Sequence, residues 1–169
     1  MKREASNFAR SISAAKTSGA VWEALRDYSA ATVGHKLFTV MTVDIAAGLA
    51  RRAYSNHPDV YPVSGTKPIH HNEWFDIVHG ERRSFVANSI EDIAKVFPDF
   101  ELIASLGLGS VLNLPVVLGG ELVATINMLH AEQHFSPERV ASAEALLAIP
   151  AMACCALAGR FDLMAKKPD

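Results

Sequence analysis

The segment SVLNLPVVLGGELVATINMLH, residues 110–130, decides the fold. It consists of two apolar runs rich in β-branched residues, divided by Gly119-Gly120, and so reads as strand, glycine turn, strand. Val111, Leu112, Leu114, Val116, Val117 and Leu118 are nearly continuous rather than alternating, the pattern of a strand covered on both faces. Something must therefore pack on each side of the hairpin. Pro115 has no N–H to give a ladder, so a local defect or an edge position is expected there.

Toward the N-terminus, residues 4–31 read as helix, broken near Thr17-Ser18-Gly19, where hydroxyls and glycine suit a cap better than a helix interior. Beyond the break, Val21, Trp22, Leu25 and Tyr28 make one apolar stripe. Gly34 ends the helix, residues 35–45 form a first strand, Ala46-Ala47-Gly48 turn, and residues 49–55 return as its antiparallel partner. Residues 56–66 carry loop chemistry, and Lys67-Pro68-Ile69 follows without a regular period. Long structureless connections in compact domains are usually functional or mobile, which makes this one a candidate ligand-side loop. Asn72 can cap a short helix over 73–78, with Trp74, Phe75 and Val78 on one face. A strand at 84–87 leads to Asn88 or Ser89 as the cap of a helix over 90–96. Pro98 interrupts, and 100–106 form a last short helix before the hairpin.

On the other side, Ser136-Pro137-Glu138 is a strong helix start, with serine as cap, proline first and an acid in the first turn. The helix should run to about Met164, and Pro150 should kink it or leave it in two pieces. Lys166-Lys167-Pro168-Asp169 reads as a frayed tail.

With 169 residues, half of them hydrophobic, the chain is long enough for one well-cored domain. A net charge of −2 and a pI near 6.4 give no electrostatic footprint for nucleic acid or for an anionic membrane. No apolar run approaches the ~20 residues that span a bilayer, and Met1-Lys2-Arg3-Glu4 leads into mixed sequence, so a soluble, cytoplasmic protein is expected. Cys154 and Cys155 are adjacent in an alanine-rich helix, where side chains diverge by about 100° and read as two reduced, buried thiols.

The order SVLNLPV, glycine turn, GELVATINML, polar tract and FSPE (135–138) resembles the GAF family of sensor domains. A first strand, a turn at Gly48 and a second strand carrying Arg51 and Arg52 and ending at Ser55 is likewise how GAF domains begin. The resemblance implies an α+β, profilin-like fold: a central antiparallel sheet of five to six strands, N- and C-terminal helices on one face, short helices and loops on the ligand-side face. One domain would span 1–169, with N-terminal helices in 1–34, sheet and loops in 35–130, and the C-terminal helix in 136–165. It also implies a ligand enclosed between the second strand and the central hairpin. In that segment Tyr54, Tyr61, Trp74, Phe75, Phe85 and Phe97 could line an apolar cavity, with Asn88, Asn113 and Asn127 as polar anchors. An aromatic face on a short helix is more often core than ligand wall. Asn113, between Leu112 and Leu114 in a buried strand, must find hydrogen-bond partners, either in a structural network or on a ligand. Alternation permits Asn127 on the same side or the opposite one.

Chemistry beyond binding finds little support. His70-His71, with Glu73 and His79 nearby, are the candidate metal group, but adjacent residues of an extended segment point to opposite faces, and no HExxH or H-x-x-x-H helix exists. There is no G-x-S-x-G elbow, no glycine-rich phosphate loop and no loop cysteine beside a histidine. The pocket cysteines of free methionine sulfoxide reductases and of bilin photoreceptors, and the N-K-x(n)-F-x(3)-D-E signature of cyclic-nucleotide binders, are all missing. No catalytic residue, metal or cofactor is assigned.

The expected function is a sensory or regulatory domain that binds a small organic molecule and signals through its terminal helices to a separate output protein, with no output domain of its own. The alternatives are a ligand-free structural or dimerisation module, suggested by the alanine-rich surface of 141–158, and an enzyme using pocket histidines. A homodimer is expected through Val21, Trp22, Leu25, Leu146, Leu147, Ile149, Met152 and Leu157, more apolar surface than one sheet face covers.

Overall fold

The structure, a computed structural model, describes residues 2–63 and 65–165. The 166–169 segment, read above as a frayed tail, lies outside the described residues. Two helices open the chain, α1 (Lys2–Ala14) and α2 (Ser18–Thr32). The break falls where expected, because the Thr17 hydroxyl accepts the Ala20 N–H at 3.2 Å and caps α2. Gly34, at φ 85°, makes the left-handed exit that a Cβ would strain.

Strands β1 (Leu37–Asp44) and β2 (Leu49–Ser55) form the first hairpin. Then come β3 (Thr66–Pro68), α3 (Glu73–Phe75), a π-helical turn over Asp76–Gly80, β4 (Phe85–Ala87), α4 (Ile90–Ala94) and α5 (Phe100–Ser105). The central hairpin is β5 (Ser110–Leu118) and β6 (Glu121–His130), and α6 (Pro137–Ala165) closes the fold. All pairings are antiparallel, in the order β3-β2-β1-β6-β5-β4.

Several boundaries differ from the sequence reading, each for a local reason. The segment at 67–69 contributes to a short strand, which Pro68 tolerates because β3 is at the sheet edge. The helix begun at Asn72 widens after Phe75 into the π turn, where the Glu81 N–H reaches back to the Asp76 carbonyl at 3.0 Å. Ser89, not Asn88, caps α4, with its hydroxyl accepting the Asp92 N–H at 3.2 Å. Pro150 does not divide α6, which runs through it as one helix. Pro115 pairs with Thr125, and β4 reaches only to Asn113 of β5, so the proline lies where β5 is an open edge. The ladder irregularity falls just beyond it, between Val116 and Val117.

The sheet is covered on both faces. On one face α2 and α6 pack a core of Val21, Leu25, Phe38, Val40, Leu112, Ile126, Met128 and Leu147. The helix α1 leans on it through Phe8, whose ring lies 5.0 Å from that of Tyr28. On the other face the short helices and loops bury Leu37, Val78, Phe85, Ile93, Val111 and Leu129. By length and composition the 137–164 stretch of α6 is apolar enough to cross a bilayer, against the reading that no such run exists. In this fold Ala143, Leu147, Ala151, Cys154 and Ala158 of that helix are core residues. The surface assigned above to a dimer is partly spent within the protomer as well. Val21, Trp22, Leu25 and Leu147 are buried, whereas Ile149 is 75% exposed.

Candidate functional site

Between the sheet and the short helices lies a cavity of about 250 Å³, and its floor follows from strand register. Three rows of side chains cross β5, β6 and β1 on that face. Val111, Leu129 and Leu37 make an apolar row; Asn113, Asn127 and Thr39 make a polar row directly beside it. In the third row Pro115, Thr125 and Met41 are followed on β2 by Arg52. Side chains two apart on a strand share a face, so one polar row brings its neighbours with it.

The polar row is one directed chain of hydrogen bonds. Trp74 Nε1 donates to Asn113 Oδ1 at 2.9 Å, Asn113 Nδ2 donates to Asn127 Oδ1 at 2.7 Å, and Asn127 Nδ2 donates to Thr39 Oγ1 at 3.2 Å. The three strand residues are 3%, 8% and 6% exposed in that order, so they answer the demand that buried amides find partners. Thr125 lines the same cavity, is 0% exposed, and its hydroxyl has no hydrogen-bond partner among the described residues.

The walls come from the loops. Asn72 fixes α3 by accepting the Phe75 N–H at 3.0 Å and donating to the Val96 carbonyl at 3.3 Å, and this aims Trp74 at the floor. Phe97 and Ile103 complete the apolar side. Opposite, the Tyr61 hydroxyl donates to Asp99 Oδ2 at 2.9 Å, and the Arg52 guanidinium sits 5.1 Å over the Tyr61 ring while donating to the Pro62 carbonyl at 3.1 Å. Burial, and then the Asp99 charge, push the Tyr61 phenol far above its ordinary range. It remains a hydrogen donor.

Of the residues named from the sequence, Tyr61, Trp74, Asn113 and Asn127 meet at this cavity, together with Phe97. Phe75 lines an adjoining groove of about 490 Å³ that shares Met41, Trp74 and Phe97 with it, and its ring is flanked by His71 and His79 at 4.3 and 4.6 Å. Phe85 is buried behind Phe97, 5.9 Å from its ring. Tyr54 is on the opposite face, edge-on to Phe38 in the helix-side core. Asn88 grips the Phe135 backbone, donating to its carbonyl at 2.9 Å and accepting its N–H at 3.1 Å, and so ties β4 to the start of α6. Thr39, Arg52, Asp99 and Thr125 were missed. Alternation from Asn127 to Thr125 would have found one of them; the others needed the tertiary structure.

A larger cleft, about 580 Å³, opens between β5 and α6, but its polar groups already pair: Ser84 donates to Glu144 at 2.6 Å and Arg82 to the Gly120 carbonyl at 3.1 Å. Among the described residues no group of three or more His, Cys, Asp or Glu side chains could hold a metal ion. Among those residues no histidine lines the 250 Å³ cavity, and His70 lines the adjoining groove. The 250 Å³ cavity thus has apolar walls, a few convergent polar groups and a rim that carries Arg52 and Asp99.

No protein-family model and no curated protein sequence matches the chain. Solved structures do. The GAF domain of an Acinetobacter phosphoenolpyruvate-protein phosphotransferase superposes with a TM-score of 0.68 at 12% identity, over 96% of this chain and 93% of that one. The corresponding GAF domain from Coxiella burnetii gives 0.67 at 14% identity, over 98% and 96%. Residues 122 to 287 of a methyl-accepting chemotaxis protein give 0.66 at 15% identity, over 95% and 99%. Likeness at such identities is likeness of fold.

Proposed function

Because the chain has the fold of a GAF domain, we propose that it is a regulatory module that binds a small organic molecule in the 250 Å³ cavity and carries no catalytic function. The observation that carries this reading is the buried row Asn113, Asn127 and Thr39, lying under a cavity beside a hydroxyl, Thr125, that has no partner among the described residues. A core filled only for stability gains nothing from an unpaired buried hydroxyl.

Occupancy has a short route to the helices. Asn113 and Asn127 alternate along their strands with Leu112, Leu114, Ile126 and Met128, which pack on the other face with α2 and α6. We propose that the helices present this signal to a separate output protein. A homodimer through α6 is the further reading, supported by its outer face of alanines with Ile149, Leu163 and Met164 exposed. A cytoplasmic location is in keeping with the two free cysteines.

Thermal melts of the wild type and Trp74→Ala against a chemically broad small-molecule library test the binding reading. A ligand-induced rise in Tm is expected in the wild type and not in the variant. No shift with any compound, together with a large stability loss in Trp74→Ala, would mean that the cavity is only core.

A further inference from the structure

Every second residue from Leu37 in β1 to Ile45, just past the end of that strand, lines an opening. Leu37, Thr39 and Met41 line the 250 Å³ cavity, and Met41, Val43 and Ile45 line the adjoining groove of about 490 Å³. Met41, Trp74 and Phe97 belong to both, so the two chambers adjoin along one strand. At about 3.3 Å per residue, the groove floor from Met41 to Ile45 is about 13 Å long. Ala50 stands opposite Val43 on β2, Leu122 joins them from β6, and Phe75, Val96 and Phe97 complete the walls. Among the described residues the polar members of this lining are His70 and Asn72, and the Asn72 amide is already bonded to the Phe75 N–H and the Val96 carbonyl. Met41, Val43, Ile45 and Ala50 are nonetheless only half-buried. The loop-side core is left unfilled at this end.

Resting on the reading of the cavity as a ligand site, we infer that its ligand is a single-chain aliphatic amphiphile, with a straight hydrocarbon tail in the groove and a small polar end in the cavity. An extended chain advances about 3.3–3.6 Å over three bonds, so about 13 Å takes roughly eleven bonds, a tail of about ten to twelve carbons. The groove gives such a tail apolar contact along its length and asks it for no hydrogen bond. The polar end needs no particular charge. The row of Asn113, Asn127 and Thr39 holds amide oxygens and a hydroxyl that accept as well as donate, and Arg52 and Asp99 offset each other on the rim. A protein partner fits the groove poorly, because it needs a broad patch of about 800 Å² a side. None of the exposed large apolar side chains among the described residues, Val63, Leu102, Leu106, Ile149, Leu163 and Met164, lines either chamber.

The test uses the straight-chain primary alcohols hexanol, octanol, decanol and dodecanol, with cyclodecanol as a ring of the same carbon number as decanol. Kd and Tm are measured on the full chain, on Ala50→Phe, which fills the groove, and on Val43→Thr, which sets a hydroxyl in its floor. Affinity should rise by about fourfold for each methylene added up to decanol, the gain from burying one CH₂. Cyclodecanol should lose that gain and bind no better than hexanol. In Ala50→Phe the rise should stop, with decanol again no better than hexanol, while an aromatic ring at a half-buried strand position leaves the unliganded Tm at or above wild type. Val43→Thr keeps the branched shape and should weaken decanol by about fourfold, since a hydroxyl replaces a methyl against the tail. Affinity independent of chain length, cyclodecanol equal to decanol, or a length series unchanged in both variants would overturn the inference while leaving a binding site in place. A dimer that Ala50→Phe turns into a monomer would put a second copy in the groove and overturn it as well. Silence from every alcohol would overturn it too, and the broad library then judges the binding reading separately.

Discussion

Trp74 Nε1 donates to Asn113 Oδ1 at 2.9 Å, joining a part-exposed ring on the three-residue α3 to a buried amide in the middle of β5. This bond orders the polar row and latches the loop side of the cavity to the sheet. Trp74→Phe keeps a ring and removes the donor, leaving the Asn113 oxygen buried without its partner. The expected cost is about 1–3 kcal/mol in urea unfolding. A loss within a few tenths of wild type would show that water replaces the indole freely.

The histidines predict how stability varies with pH. His35 is largely buried, and burial pushes its pKa down to about 4 from the ordinary 6.5, although the Arg26 carbonyl opposes the shift. As pH falls below 6.5 the unfolded chain binds the proton first, so stability is complete above pH 6.5 and is lost progressively down to about 4. The shift corresponds to roughly 3 kcal/mol. His130 and His134, stacked at 3.7 Å, are also lowered, chiefly by burial, then His130 by His134 and His134 by Arg139, and act with the same sign. Chemical denaturation from pH 7.5 to 4 should show this slope, and His35→Gln should flatten it. An unchanged slope in the variant would assign it to other groups.

Both cysteines should be inert. Cys154 lies in the core with its thiol 3.7 Å from the Val21 carbonyl, and burial pushes both thiols up to about 12. At pH 8 only a trace is thiolate, the nucleophilic form. Thiol titration of the native protein should proceed at the rate of unfolding for Cys154, and Cys154→Ala with Cys155→Ala should leave any ligand-induced melting shift intact. Rapid native labelling of Cys154 would contradict this.

Ile149 stands 75% exposed on the outer face of α6, with Leu163 and Met164 also exposed further along the helix. Light scattering at micromolar concentration should give twice the protomer mass of 18.2 kDa, and Ile149→Lys should return it to one, because a desolvated charge in an apolar interface is costly. A wild-type monomer would end the dimer reading.

Much of the architecture was legible because its determinants are local. The Gly119-Gly120 turn, the Thr17 cap and the Ser136-Pro137 helix start act within a turn or two of chain, and alternation of side chains needs only a strand's own residues. The aromatic and amide composition of the pocket segment likewise pointed to Tyr61, Trp74, Asn113 and Asn127. Pairing was beyond local reach. Asn127 stands beside Asn113 and Thr39 only because the register of β6 with β5 and β1 sets them in one row. Arg52 depends on a bulge: Val40 pairs with Tyr54 but Met41 pairs with Arg52, so Ala53 is the extra residue. Unbroken alternation would put Arg52 on the face of Tyr54. The inserted residue reverses the phase, sending Tyr54 to the helix-side core and Arg52 to the cavity. The sequence by itself determined the elements and their covered faces, because propensity, capping and periodicity are properties of neighbouring residues. Which polar atoms meet, and which one is left unpaired, was decided only by tertiary structure, because it rests on register across four strands and on burial by loops distant in the chain.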